Sequence, residues 1–587
     1  MKNRGILFLL LSSFVVVNAQ EKKSIDTVKT EIVTIITTYN PKIADASKIK
    51  RTPELTLSEK SKKRKLQYPI YSVPVASTFM PKTGTPKSVD LGKRDRIYKN
   101  YIAAGYGNYS TPFLEAALRS NNSRNKSEMG LTAKYISSNQ NIQNTSLTSS
   151  YSNFNTSLFY KQQERDFDWK ITLNSAQDKY NWYGIPEFLK QTAILSEIVP
   201  QQKYNFTQLI GDLNFKNSFI ENGTANLSYF SDAYQSVEIL GLVQTKFNFP
   251  LDFINRQLNA LSVNTQFEIF KGNFKKDYVG DSEVDYSIIT TKIQPSYRFS
   301  YEDISFKTGF KVAASFDTEN NATNLLLYPD VEISAPIIVN FLTIYAGVTG
   351  DLNTNTYRGF TAENPYVSPT LFMTQTSEKQ HFFLGSNTSL NTEFSFHFKA
   401  SYKNEEDKPL FVRNNSKSNG NTLLTNGKAL EGYEYGNSFH IVYDDVTTTR
   451  LLAEVEYQAT PKITTIATVQ YDSYQLTNEN EAWNLPQLQA SILGTYQSGN
   501  WYASSTLYFM GERKDGTYSG TFLSNRDGIH SIDSFIDINV NGGYRFNDHF
   551  SVFFKFNNIL NSSYQQFSNF DVQGFQALGG LTYQFDF

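Results

Sequence analysis

The chain has 587 residues, no cysteine and a formal net charge of -1, with 40% hydrophobic and 15% aromatic residues. Lacking cysteine, it has no disulfide, no thiolate metal site and no lipid-bearing N-terminal Cys, and a charge near zero names no partner. Beyond the N-terminus no stretch supplies the roughly eighteen uninterrupted apolar residues of a membrane helix, which excludes a helical membrane protein but not a β-barrel, where only alternate strand residues face lipid.

Residues 1-19 read as a secretory signal peptide. Met1, Lys2, Asn3 and Arg4 give a basic start, Ile6 to Val17 an apolar core broken only by Ser12 and Ser13, and Asn18, Ala19 and Gln20 a small-residue site with cleavage expected after Ala19. Residues 20-97 read as a basic periplasmic extension: from Glu21 to Ile97 there are 17 Lys and Arg against 8 Asp and Glu, a net of +9, with six prolines and few aromatics. Within it Glu31, Ile32, Val33, Thr34 and Ile35 form a short β-prone run of the kind that pairs with a partner's sheet edge. The cluster Lys60, Lys62, Lys63, Arg64 and Lys65 suits a solvated tail, the anionic lipid heads of the inner leaflet or an acidic periplasmic docking partner. Nucleic acid is implausible as a partner of an exported chain.

From about Tyr101 the sequence becomes a series of alternating apolar and polar segments separated by Asn, Ser, Gly and Asp, the dyad pattern of a transmembrane barrel. In one segment Leu451, Ala453, Val455 and Tyr457 share a face while Leu452, Glu454 and Glu456 share the other, which is tolerable only if that second face is wet. Residues 98-587 are therefore expected to be all-β, a transmembrane antiparallel β-barrel. Short periplasmic turns are expected near 121–125, 153–155, 216–222, 250–259, 301–303, 337–340, 387–391, 459–462, 497–500 and 546–549. Ten such turns separate eleven strand pairs, about 22 strands. Long outer loops fall at 175–203, 353–379, 404–446 and 514–531, where function usually resides. The first carries Pro186, Phe188, Leu189, Thr192, Leu195 and Val199 at helical spacing, read as a short helix folding over or into the lumen, for packing or for a ligand.

No catalytic constellation emerges, and no enzyme, cofactor or metal is expected. His381, His397, His440, His530 and His549 are scattered. Asp277, Asp281, Glu283 and Asp285, then Glu405, Glu406 and Asp407, then Asp444 and Asp445, are acidic clusters without EF-hand spacing, read as solvated loops.

Near the end, Ile536, Ile538, Val540, Gly542 and Tyr544 oppose Asp537, Asn539 and Asn541, and the following strand runs into Asn558, Ile559, Leu560, Asn561, Ser562, Ser563 and Tyr564. This Asn-apolar-apolar-Asn-x-x-Tyr stretch resembles the penultimate strand of TonB-dependent outer-membrane receptors, and the Asn-, Tyr- and Phe-rich composition looks like their Bacteroidota branch. The closing residues Leu581, Tyr583, Phe585 and Phe587 share one strand face, and Tyr583, Phe585 and Phe587 resemble the C-terminal signal read by the barrel assembly machinery. The resemblance implies a cell outer membrane location, contact with membrane lipid, and as possible partners TonB, through a TonB-box-like segment at Glu31 to Ile35, a surface lipoprotein or other outer-membrane complex subunits. It also implies a plug domain of well over a hundred residues, which the 77 residues from Glu21 to Ile97 are too few to form. A plug-lacking barrel of this size must be filled by its extension, its own loops or another protein. Two functions stay open: uptake or binding of a nutrient, or a non-transport scaffold role in a larger secretion or assembly complex.

Overall fold

The computed structural model of the chain describes residues 98–251, 259–280, 282–421, 424–425, 427–521 and 524–586. The signal peptide, the basic extension with Glu31 to Ile35 and Lys60 to Lys65, and Phe587 lie outside the described residues. Twenty-two antiparallel strands form one sheet. The first strand, Asn100–Gly107, pairs along its length with the last, Gln576–Phe585, in the register Asn100 to Phe585 and Gly107 to Leu578. The sheet closes on itself and keeps no free edge.

Strand alternation decides which side chains meet lipid. Leu451, Phe554 and Leu581 stand on the outer wall, whereas Phe553 is buried against Phe113 inside, with the Lys555 ammonium 4.3 Å from the Phe113 ring centre. At the short-turn end the outer wall carries paired aromatics, including Phe219 with Phe247 and Phe249, Phe299 with Phe306 at 5.0 Å, Phe394 with Tyr457 at 4.2 Å, and Trp501 with Tyr544 at 4.8 Å. This is the aromatic girdle of a bilayer interface beneath an apolar band. The barrel is that of an outer-membrane protein.

Nine of the ten expected turns lie where strands reverse on the periplasmic side. The exception is 153–155, which falls inside the strand Tyr151–Gln163; the reversal is at 164–166. Asn153 has the composition of a turn, but it faces the lumen, where its amide donates to Asp178 at 2.9 Å and Tyr180 at 2.8 Å. The real turn is made of charged residues and closes through Glu164 N–H to the Phe167 carbonyl at 2.9 Å.

Strand height is uneven around the wall. Phe394–Arg413 and Phe439–Thr460 have 20 and 22 residues and rise far above the roughly 9–11 that a membrane strand needs, so the expected loop 404–446 shrinks to 414–438. Asn100–Gly107 and Phe550–Asn557, beside the closure, have 8 each. The loop expected at 514–531 contains its own hairpin, Arg513–Tyr518 with Arg526–Ile532.

Candidate functional site

Much of four outer loops turns inward. These parts pack on one another, because they are rich in aromatic and branched side chains that water would penalise. Trp182, Tyr183 and Ile185 from one loop, Tyr357, Phe360 and Tyr366 from a second, Tyr433 and Tyr435 from a third and Phe567 and Phe570 from a fourth form a single buried cluster. Tyr204, Phe230, Phe270, Phe274 and Tyr286 join it from the upper inner wall. Tyr366 stacks on Phe570 at 3.7 Å, and Tyr183 meets Phe570 edge-on at 5.0 Å. A Cβ on Gly184 would lie 2.5 Å from the Phe570 ring, so this position must be glycine for the loops to approach so closely.

Several polar groups inside this lid are matched to backbone atoms of neighbouring loops. The Trp182 indole donates to the Tyr366 carbonyl at 3.1 Å, and the Asn437 amide donates to the Trp182 carbonyl at 2.7 Å. The Tyr204 hydroxyl donates to the Pro365 carbonyl at 2.9 Å and the Tyr183 hydroxyl to the Asp571 carbonyl at 2.8 Å. Each such bond satisfies a group whose burial alone would be unfavourable by about 1–3 kcal/mol.

A short helix, Tyr357–Glu363, crosses within the lid and is held at its start. The Thr356 side chain accepts from Gly359 N–H at 2.9 Å, while the buried Glu238 carboxylate accepts from Tyr357 N–H at 2.5 Å and Arg358 N–H at 3.2 Å. A carboxylate here takes two donors that have no partner within the helix and meets the positive end of its dipole. The Tyr286 hydroxyl also donates to Glu238, and the Tyr357 hydroxyl donates to Asp232 at 2.9 Å. Burial pushes the Asp232 carboxyl above its ordinary value, against hydrogen bonds from Ser236, Tyr234 and Tyr357 that favour the ionised form. Burial likewise raises the Asp515 carboxyl, in the outer hairpin, and pushes the Tyr366 phenol up to about 12.

Two loops are joined by charge. Glu434, its side chain 2% exposed, lies 2.7 Å from the Lys417 ammonium and 2.8 Å from that of Lys276. Lys276 sits over the Tyr433 ring and Lys417 over the Tyr278 ring. Below the lid the lumen wall is polar. Asp351 bridges Lys292 and Lys311, Asp330 pairs with Lys307, Asp472 with Arg450, and Asn174 with Gln208. The arrangement is a polar inner wall beneath an apolar loop cluster with a core of its own.

The expected helix in the loop 182–200 is instead two 3₁₀ turns, Glu187–Leu189 and Ala193–Glu197. Leu189, Ile194 and Ile198 pack into the lid, but Phe188 and Val199 stay exposed, so the helical spacing was not the packing rule. Asn558 to Tyr564 has a local job. The Asn558 amide donates to the Ser562 and Gln573 carbonyls, Asn561 accepts from Phe575 N–H at 2.8 Å, and Tyr564 stacks on Phe535 at 3.9 Å and donates to Asp537. On the last strand Tyr583 faces lipid and stacks on Phe585 at 5.5 Å.

The acidic clusters have internal partners. Asp277 accepts from Gly280 N–H, Glu283 pairs with Lys275, Glu405 with Lys408 and Glu406 with Lys379, and Asp444 accepts from Asn478 and Glu479 N–H; Asp281 lies outside the described residues. The histidines lie on separate elements, and among the described residues no group of three metal-ligating side chains converges. Sequence reasoning missed Asp232, Glu238 and Glu434, which sit in sequence among ordinary loop and strand-end polar residues. The available signal was the aromatic content of the loops themselves.

No protein-family model matches the chain, and no curated protein matches it. Solved structures do match. The pyoverdine receptor FpvA of Pseudomonas aeruginosa PAO1 bound to pyoverdine aligns at 12% identity over 84% of this chain and 79% of that one, with a TM-score of 0.59. The siderophore receptor PirA of Acinetobacter baumannii aligns at 10% identity over 83% and 80%, with a TM-score of 0.59. The FrpB iron transporter of Neisseria meningitidis aligns at 9% identity over 84% and 82%, with a TM-score of 0.60. At these identities the likeness is one of fold: a 22-stranded outer-membrane receptor barrel.

Proposed function

We propose that this barrel binds or takes up a nutrient from outside the cell, in the manner of a TonB-dependent receptor lacking a full plug, and that the loop lid is its outer gate. The observation that carries the reading is the closed mouth: a polar, charged lumen wall lies beneath a cap formed by the chain's own loops. Any compound passing inward has to displace that cap, so gating belongs to the loops. The fold shared with siderophore receptors and an iron transporter supports uptake by analogy. In this reading Glu31 to Ile35 pairs with TonB, Lys60 to Lys65 docks at the inner leaflet or on a periplasmic partner, and Tyr583, Phe585 and Phe587 are read by the assembly machinery. No catalytic role is proposed.

A second reading, a non-transport subunit of a larger outer-membrane secretion or assembly complex, is favoured by the same lid. Tyr183, Tyr366 and Phe570 pack their rings on one another rather than facing an open vestibule. Full-length protein in planar bilayers separates the two. Under the uptake reading the wild type is nearly silent and a variant with a loosened lid, Glu434→Ala, shows conductance steps. Silence in both proteins, with stoichiometric recovery of other outer-membrane machinery in a mild-detergent pull-down, would establish the second reading instead.

A further inference from the structure

Glycines inside strands usually have a steric reason here. A Cβ on Gly272 would lie 2.2 Å from the Tyr286 hydroxyl, and one on Gly385 would lie 2.3 Å from the Tyr345 ring. Gly211 and Gly241 have no such reason. With Gly494 they are the strand glycines, among the described residues, whose Cβ would meet nothing within 4 Å, and neither has a positive φ. Glycine in a strand interior is unfavourable and marks a bulge, a bend or the close approach of another group. The pairing around Gly211 and Gly241 is in unbroken register, so neither marks a bulge.

The two glycines lie on the lipid-facing wall two strands apart, joined diagonally through Ala225. Gly211 pairs with Ala225 and Gly241 with Leu227, so the small residues fall on three consecutive strands, Gln201–Phe215, Ile220–Ser231 and Val237–Phe249. They floor a notch of about 430 Å³ whose walls are Ile171, Leu209, Leu227, Val243, Phe267 and Ile269. These six side chains stand out from the barrel, each 44–56% exposed. The girdle of Phe219, Phe247 and Phe249 lies below the notch, and the exposed Tyr229 and Ile239 lie toward the outer end, so it opens into the hydrocarbon band.

We propose that this notch seats one acyl chain of a membrane lipid as a defined ligand, distinct from the exchanging lipid around the rest of the barrel. The notch is continuous with the lipid-facing wall, which fixes its occupant as hydrocarbon. Neighbouring strands are about 4.8 Å apart, so a floor of glycine and alanine between projecting branched side chains leaves a groove one hydrocarbon chain wide. A chain lying in it touches apolar atoms on three sides, whereas on the smooth wall it touches them on one. A second barrel would rest its broad wall on the projecting rims and leave the floor uncovered.

The test is photolabelling of the full-length protein in vesicles of palmitoyl-oleoyl phosphatidylethanolamine doped with an analogue carrying a diazirine on its acyl chain. Labelled residues are mapped by mass spectrometry. The expected result is several-fold heavier labelling of Ile171, Leu209 and Val243 than of Phe382 and Leu384, lipid-facing residues of another strand. Filling the groove with Gly211→Leu and Gly241→Leu should bring the two regions to parity, while Gly494→Leu leaves the contrast intact. Heat-modifiable gel mobility checks that each variant folds. Even labelling of the wild-type wall overturns the proposal whether or not the filled variant folds, and so does a contrast that survives filling.

Discussion

Glu238 and Asp232 are placed where carboxylates are costly, and what each accepts explains why they stay. Glu238 ends two helix N–H groups that have no other partner, so Glu238→Ala leaves both buried donors unmatched and should destabilise the lid by about 1–3 kcal/mol. Hydrogen exchange of the helix Tyr357–Glu363 should accelerate while the barrel strands keep their protection; unchanged exchange would contradict the latch role. Asp232 makes the lid sensitive to pH. Its carboxyl lies above the ordinary value when buried, so the closed lid binds more protons than the opened one. Lid stability is then fully present below the ordinary Asp pKa of about 3.9 and declines as pH rises through the raised value, with Asp515 acting in the same sense. Asp232→Asn should flatten that decline in the urea midpoint of lid opening, followed by tryptophan fluorescence at a series of pH values. Equal slopes in the two proteins would remove Asp232 from the account.

Among the elements, loops that fold as a unit depend on the joints between them. Glu434 pairs with Lys276 from one loop and with Lys417 of its own loop, and Glu434→Ala removes the buried carboxylate that both ammonium groups share, a change of about 1.5–3 kcal/mol. Limited proteolysis should then cut the segment 414–438 at low protease, with strand cuts absent. Gly184→Ala should act at the same lid from the opposite side, since its methyl group would collide with Phe570, a cost of about 1–3 kcal/mol. Comparable protease resistance in that variant and the wild type would mean that the loops do not pack as described. The strands were legible from alternation because lipid and water face opposite sides of each one, as at Leu451 and Glu454. The turn at 164–166 was not, because a lumen-facing Asn153 looks like a turn residue and Glu164, Arg165 and Asp166 do not. The lid was illegible for a related reason. Its partners come from loops hundreds of residues apart, Trp182 with Tyr366 and Tyr183 with Phe570, and no local period announces such a meeting.

For the whole molecule, the functional reading turns on whether the lid is the principal barrier. Loosening it through Glu434→Ala should raise bilayer conductance without altering the heat-modifiable mobility that reports an intact barrel; loss of both would mean that lid and wall fold as one. The wall itself was the most readable part of the chain, since about twenty-two alternating segments leave a closed barrel as the arrangement that satisfies every backbone group in lipid. Its uneven height was not readable, because strand length above the membrane carries no lipid-facing signature. That unevenness reaches beyond the protein. At the closure, strands of 8 residues tilted by about 40° span roughly 20 Å, less than the apolar band of about 25 Å that surrounds such barrels. A short wall of this kind is accommodated by local thinning of the bilayer or by flanking polar side chains reaching to its surface, and neither is needed beside Phe394–Arg413 and Phe439–Thr460. Local thinning would make the membrane shallower on the closure side of the barrel than on the other, and neighbouring proteins with short spans would then sort toward that side.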